Sequence, residues 1–89
     1  MKAIVTIIGE DKVGIIARAS SVLAKNQVNI LDINQTVMRE YFTMIMLVDL
    51  DELIVDLQNL QEQLDEIALE MKLSIRVQRE DIFKKMHEI

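Results

Sequence analysis

From Ala3 to Ile8 the chain is β-branched and apolar, and after Gly14 the spacing of apolar residues changes to a helical period. The first run predicts a strand over about Lys2–Ile8. The second predicts a helix starting near Val13 or Gly14 and reaching about Asn26, with Ile15, Ile16, Ala19, Val22 and Leu23 on one stripe and Arg18, Ser21 and Lys25 opposite. Asn26 and Gln27 close it. An extended segment follows from Val28 to about Arg39, and within it the apolar phase moves from Val28 and Ile30 to Leu31, Ile33 and Val37. One inserted residue reverses the facing of every later side chain, so a bulge is expected near Asn29 or Ile30.

Arg39-Glu40-Tyr41 reads as a short hairpin connection. Phe42 to Leu50 then alternates strictly, with Phe42, Met44, Met46, Val48 and Leu50 on one face. Asp51 is the expected N-cap of a second helix, whose stripe runs through Leu53, Leu57, Leu60, Leu64, Ile67, Ala68 and Met71. A fourth strand is expected over Lys72–Gln78, apolar at Leu73, Ile75 and Val77. Ile82, Phe83, Met86 and Ile89 keep helical register in the tail, which is either a short helix or an arm for a partner. The order β-α-β-β-α-β predicts an α+β, ferredoxin-like fold: a four-stranded antiparallel sheet with two helices on one face, followed by a short C-terminal helix. The domain is expected over 1–79 and the tail over 80–89. In that topology strands one and three are central. Ile4, Ile8, Ile45 and Leu47 then fall on the face away from the helices, an apolar stripe that predicts a homo-oligomer, most simply a dimer.

Composition narrows the function. Eighty-nine residues make one domain, and 51% apolar against 28% charged residues supports a packed core. No cysteine is present, so there is no thiol chemistry, no disulfide and no thiolate metal site. No apolar run approaches the length of a membrane span and no cleavable leader is evident, so a cytoplasmic location is expected. The net charge of −5 is concentrated between 51 and 71, where seven acidic residues meet no basic one. An acidic chain with only three aromatics, Tyr41, Phe42 and Phe83, is a poor partner for nucleic acid or an anionic membrane.

Candidate chemistry collects at Gly9 to Ile15, which holds both glycines of the chain. A strand passing through a glycine-punctuated turn into a helix presents free backbone N–H groups and the helix's positive end, which favour a small anion. Gly14 and Arg18 have the glycine-to-arginine spacing of an acylphosphatase-like hydrolase. Val13 stands where that family has glutamine, however, and Glu10 and Asp11 oppose a phosphate. The one histidine, His87, has no catalytic partner placed beside it by the sequence, and the Asp49, Asp51, Glu52 cluster lacks the glycine and spacing of a calcium loop. No catalytic residues, no metal ligands and no cofactor are assigned.

The ordered set Gly9-Glu10-Asp11-Lys12-Val13-Gly14-Ile15, Val28-Asn29-Ile30, Gln35-Thr36-Val37, Tyr41-Phe42-Thr43-Met44 and Val48-Asp49 resembles an ACT domain. More closely, it resembles stand-alone single-ACT-domain proteins of bacteria and archaea, similar to the ACT modules of the glycine-cleavage repressor. The resemblance implies a non-enzymatic regulatory module that binds an amino acid or related metabolite between paired domains, the first loop of one copy facing the second strand of the other. The serine-binding ACT domains of phosphoglycerate dehydrogenase use a His-Glu-Asn-x-Pro-Gly loop and a later Val-Asn-Ile. Matched to that pattern, the ligand-binding residues are Gly9, Asp11, Lys12, Val13, Gly14, Ile15, Asn29 and Ile30. Gly9 replaces the histidine and ionised Asp11 replaces a neutral amide, which leaves the identity of the amino acid open. A ligand-free interaction module, with the Gly9–Ile15 segment as a structural turn, is the alternative.

Overall fold

A computed structural model describes residues 1–10 and 13–86. The elements in chain order are β1 (Lys2–Glu10), α1 (Ile15–Lys25), β2 (Asn29–Met38), β3 (Tyr41–Asp49), α2 (Leu57–Met71), β4 (Ser74–Arg79) and α3 (Glu80–Met86). The expected fold is the observed one: an antiparallel four-stranded sheet of order β2-β3-β1-β4, with β1 and β3 in the middle.

Alternation in the two central strands builds the core. Val5 lies between Met46 and Val77, and Ile7 between Met44 and Ile75. Residues directly opposite in antiparallel strands share a face, so these side chains form one continuous apolar surface. Ile15, Ala19 and Leu23 of α1 and Leu60, Leu64 and Ile67 of α2 are buried in the same cluster. Ile16, expected on that stripe, is 46% exposed instead, because the buried face of α1 is narrowed to positions four apart.

The bulge in β2 falls one residue beyond the expected pair. Ile30 opposes Val48 while Asp32 opposes Leu47, leaving Leu31 as the inserted residue. Ile33 and Val37 thereby face the helix side of the sheet, yet both stay exposed at this edge.

Two boundaries differ from expectation. The second helix starts at Leu57 and its N-cap is Asp56, whose carboxylate accepts from the Asn59 N–H at 2.7 Å. Leu53 and Val55 still pack against the core, but from the irregular connection before the helix. Asp51 instead pairs with the Met1 amine, which holds its carboxyl below the usual range and raises the amine. At the other end Lys72 caps α2 in the left-handed conformation (φ 58), so β4 begins at Ser74.

Buried amides complete the packing. Asn26, the C-cap of α1, donates to Val22 O and to Gln63 Oε1, both at 2.8 Å, tying α1 to α2. On the far side Gln61 Nε2 donates to Ile75 O and Gln61 Oε1 accepts from Val77 N, each at 2.8 Å.

Candidate functional site

The expected site residues divide between two ends of the sheet. Gly9 is in β1 rather than in the following loop, opposite Phe42, and has no side chain because Leu73 packs over it. A Cβ built there would lie 2.5 Å from Leu73 Cδ2 and 3.3 Å from its Cα. Gly9 is thus a packing glycine, and the role carried over to it of a first polar ligand position passes to no side chain there. Asp11 and Lys12 lie outside the described residues, as do His87 and Ile89 of the tail.

Gly14 meets the opposite requirement. Nothing would touch a Cβ there, but its φ of 91 is a conformation that favours glycine. It is the N-cap of α1, and among the described residues no side chain caps the first-turn N–H groups of that helix, whereas Asp56 caps α2. Val13 before it is fully exposed, and Ile15 after it is buried and anchors the first turn to the core.

Asn29 and Ile30 are remote from this turn within one chain. Gly9 pairs with Phe42 and Asn29 with Asp49, so the two positions lie seven residues apart along β3, about 23 Å at the rise of a strand. Asn29 is exposed at the start of β2; Ile30 is half-buried against the core. The structure therefore brings Gly14 and Ile15 together and leaves Asn29 and Ile30 at the opposite rim.

Beside the end of β1 a cleft of about 510 Å³ opens between Ile8, Gly9, Glu10, Tyr41 and Lys72. Glu10 was legible only as part of the loop motif; Tyr41 and Lys72 carried no site signal in the sequence. Arg18, the residue at hydrolase spacing from Gly14, lies on α1 and donates to Glu70 Oε2 of α2 at 2.6 Å. That contact raises the guanidinium and holds the Glu70 carboxyl below its ordinary range. Among the described residues, no group of three or more His, Cys, Asp or Glu side chains is placed to hold a metal ion, and no helix is long and apolar enough to cross a membrane.

The ACT domain family profile matches residues 2–78. The chain is 53% identical over 89 residues to a UPF0237 protein of Clostridium acetobutylicum, covering all of both chains. It is 40% identical to an ACT domain protein of Streptococcus pneumoniae, with a TM-score of 0.80 and 94% of each chain covered. A protein described as a putative glycine cleavage system transcriptional repressor has the same fold at 19% identity, with a TM-score of 0.73 over 88% of this chain and 44% of that one. A βαββαβ domain with a glycine-capped first helix, matched by the family over nearly its whole length, belongs to the ACT domain family of regulatory, small-molecule-binding modules.

Proposed function

We propose that the protein is a non-enzymatic cytoplasmic sensor that binds an amino acid or closely related metabolite at the interface of a homodimer and passes occupancy to a regulated partner protein. The observation that carries this reading is the α1 N-terminus, where Gly14 stands in the left-handed conformation and no described side chain caps the first-turn N–H groups. Those groups suit a ligand carboxylate. The separation of this turn from Asn29 supports the dimer, because a site using both takes one from each copy.

Copies meeting along β2 in antiparallel fashion would bring one copy's first turn toward the other's Asn29. The exposed apolar residues Leu31, Ile33 and Val37 support that edge as the contact. The stripe on the outer face of the sheet is the weaker candidate, since Ile4 and Leu47 are already half-buried while Ile8 and Ile45 are exposed. Binding across two subunits couples ligand to quaternary state through differential affinity, which is what regulation requires. Calorimetry and thermal-shift measurements with the twenty standard amino acids at millimolar concentration test the reading. At least one should release or absorb heat and raise Tm; silence from all twenty overturns it.

A further inference from the structure

The cover over the β4 edge is built as a latch. Gln61 Nε2 donates to Ile75 O at 2.8 Å and also to Asp65 Oδ1, one turn further along α2, at 2.7 Å. Gln61 Oε1 accepts from Val77 N at 2.8 Å. When the amide swings off the strand, its donor already has a second acceptor in Asp65, so release costs no more than ordinary hydrogen bonds exchanged for others. Gln61 is half-buried and Asp65 exposed, so the movement displaces none of the buried leucines of α2.

What the amide covers has the form of a strand-binding site. Ile75 and Val77 bury their side chains and turn backbone groups away from β1, as alternate residues of an edge strand do. A cleft of about 670 Å³ runs beside them between β4 and α2, with Gln61, Asp65, Ala68, Leu73 and Arg76 in its lining. Its two charges lie on different sides of the sheet. Asp65 belongs to the helix side, whereas Arg76, opposite Thr6 and between buried Ile75 and Val77, points to the face away from the helices. Arg76 has no ion-pair partner among the described residues. Successive side chains of an added strand point to alternate faces, so one residue passes over Ala68 and Leu73 toward Asp65 and the next stands beside Arg76. A lysine or arginine fits the first place, its stem on the apolar lining and its head at the carboxylate, and an aspartate or glutamate fits the second.

We propose that a partner protein docks at the β4 edge by adding an extended segment of alternating base and acid, which displaces the Gln61 amide from Ile75 and Val77. The main-chain bonds of that segment replace those of Gln61, and its two charges, read by Asp65 and Arg76, set its register and its choice. The docking goes beyond the amino-acid reading and stands without it, since it uses neither the α1 turn nor the β2 edge.

The experiment pans random peptides of about ten residues, displayed on phage, against the full wild-type chain, and then titrates the enriched peptides in solution. Enriched sequences should alternate a basic with an acidic residue, and amide NMR shifts on binding should fall on Ile75, Val77 and the Gln61 side chain. Methylating the peptide nitrogens one at a time should weaken binding about tenfold at every second residue and little between, because only alternate N–H groups face β4. Gln61→Ala, which removes the competing amide, should bind about tenfold more tightly. Arg76→Glu should lose about tenfold and regain it when the peptide's acid is replaced by lysine. A merely protective Gln61 predicts that no peptide is enriched, and that result overturns the proposal. Shifts confined to β2, or affinity without the two-residue period, overturn it as well, as does equal affinity of the wild type and a Gln61→Ala chain that circular dichroism shows to be folded. If Gln61→Ala unfolds, the methylation series on the wild type and the Arg76→Glu exchange decide the matter. Each of these failures leaves the amino-acid reading standing, because calorimetry with amino acids tests that separately.

Discussion

The two edges of the sheet are built in opposite ways. At β4 the outward backbone groups of Ile75 and Val77 are both taken by the side-chain amide of Gln61, which bonds to them as a neighbouring strand would. At β2 the edge spans ten residues, and the bond from Ile33 N to Asp32 Oδ1 is the single side-chain contact to its backbone among the described residues. Leu31, Ile33, Val37 and Met38 are all exposed along it. Proteins usually protect an edge with charge, proline, bulges or a covering element, because unpaired N–H and C=O groups invite another strand. The β4 edge is covered by Gln61, whereas β2 carries only its bulge at Leu31, which is why the proposed dimer is placed along β2.

The largest expected effect comes from charging the open edge. Val37→Lys should convert the dimer to monomer in sedimentation equilibrium, raising its dissociation constant about a hundredfold or more, and should abolish the amino-acid response while Tm stays near that of wild-type monomer. A dimer that survives this change would remove the β2 edge from the proposed interface. Gln61→Leu does the reverse at the other side. It deprives Ile75 O and Val77 N of their partner, costs about 1 to 3 kcal/mol in urea unfolding, and should add concentration-dependent species larger than a dimer in light scattering. Unaltered association would mean that the helix alone, without its amide, is enough to close β4.

A change in a central strand separates stability from assembly. Gly9→Ala pushes a methyl group into Leu73 and should destabilise the fold by about 1 to 3 kcal/mol with the dimer constant unchanged at permissive temperature. The paired change Leu73→Ala should recover part of that loss, as residues in direct contact do. The smallest effect concerns pH. Glu70 is lowered in the folded state by Arg18, so its contribution is present above the ordinary carboxylate range and is lost as pH falls from that range through the lower folded-state value. Both groups are exposed, so acid melting curves of Glu70→Gln and wild type should differ slightly at neutral pH and converge in acid, with no change at either edge.

Much of this architecture was readable where one period dominated. Even-numbered residues from Phe42 to Val48 are buried as their alternation implies, and the shift from Ile30 to Ile33 announced the bulge that Leu31 makes. The helix caps were less readable, because Asp51 and Asp56 both precede a leucine-rich stripe and differ only in tertiary surroundings. Asp51 is drawn to the Met1 amine, and Leu53 and Val55 bury themselves without helical geometry. Gly9 is a clearer limit: its reason for being glycine is Leu73, far along the chain, and a local motif cannot reveal it. Gln61 and Gln63 look like any other amides on a polar helix face, yet one covers an edge and the other locks Asn26. The Gly14 turn was legible from its glycine; the cleft with Tyr41 and Lys72 was not, since three separate elements meet to form it.

Placing the first strand at the centre also sets a timetable during synthesis. Val5 finds one neighbour in Met46 and the other in Val77, so β1 leaves the ribosome long before β4 exists to flank it. At typical translation speeds the 72-residue separation of Val5 and Val77 takes about 4 to 14 s. The β2–β3 hairpin, joined by the short turn at Arg39 and Glu40, can form well before then. For several seconds the nascent chain therefore carries an apolar strand with one side vacant, and a chaperone that acts on this protein has that interval in which to act.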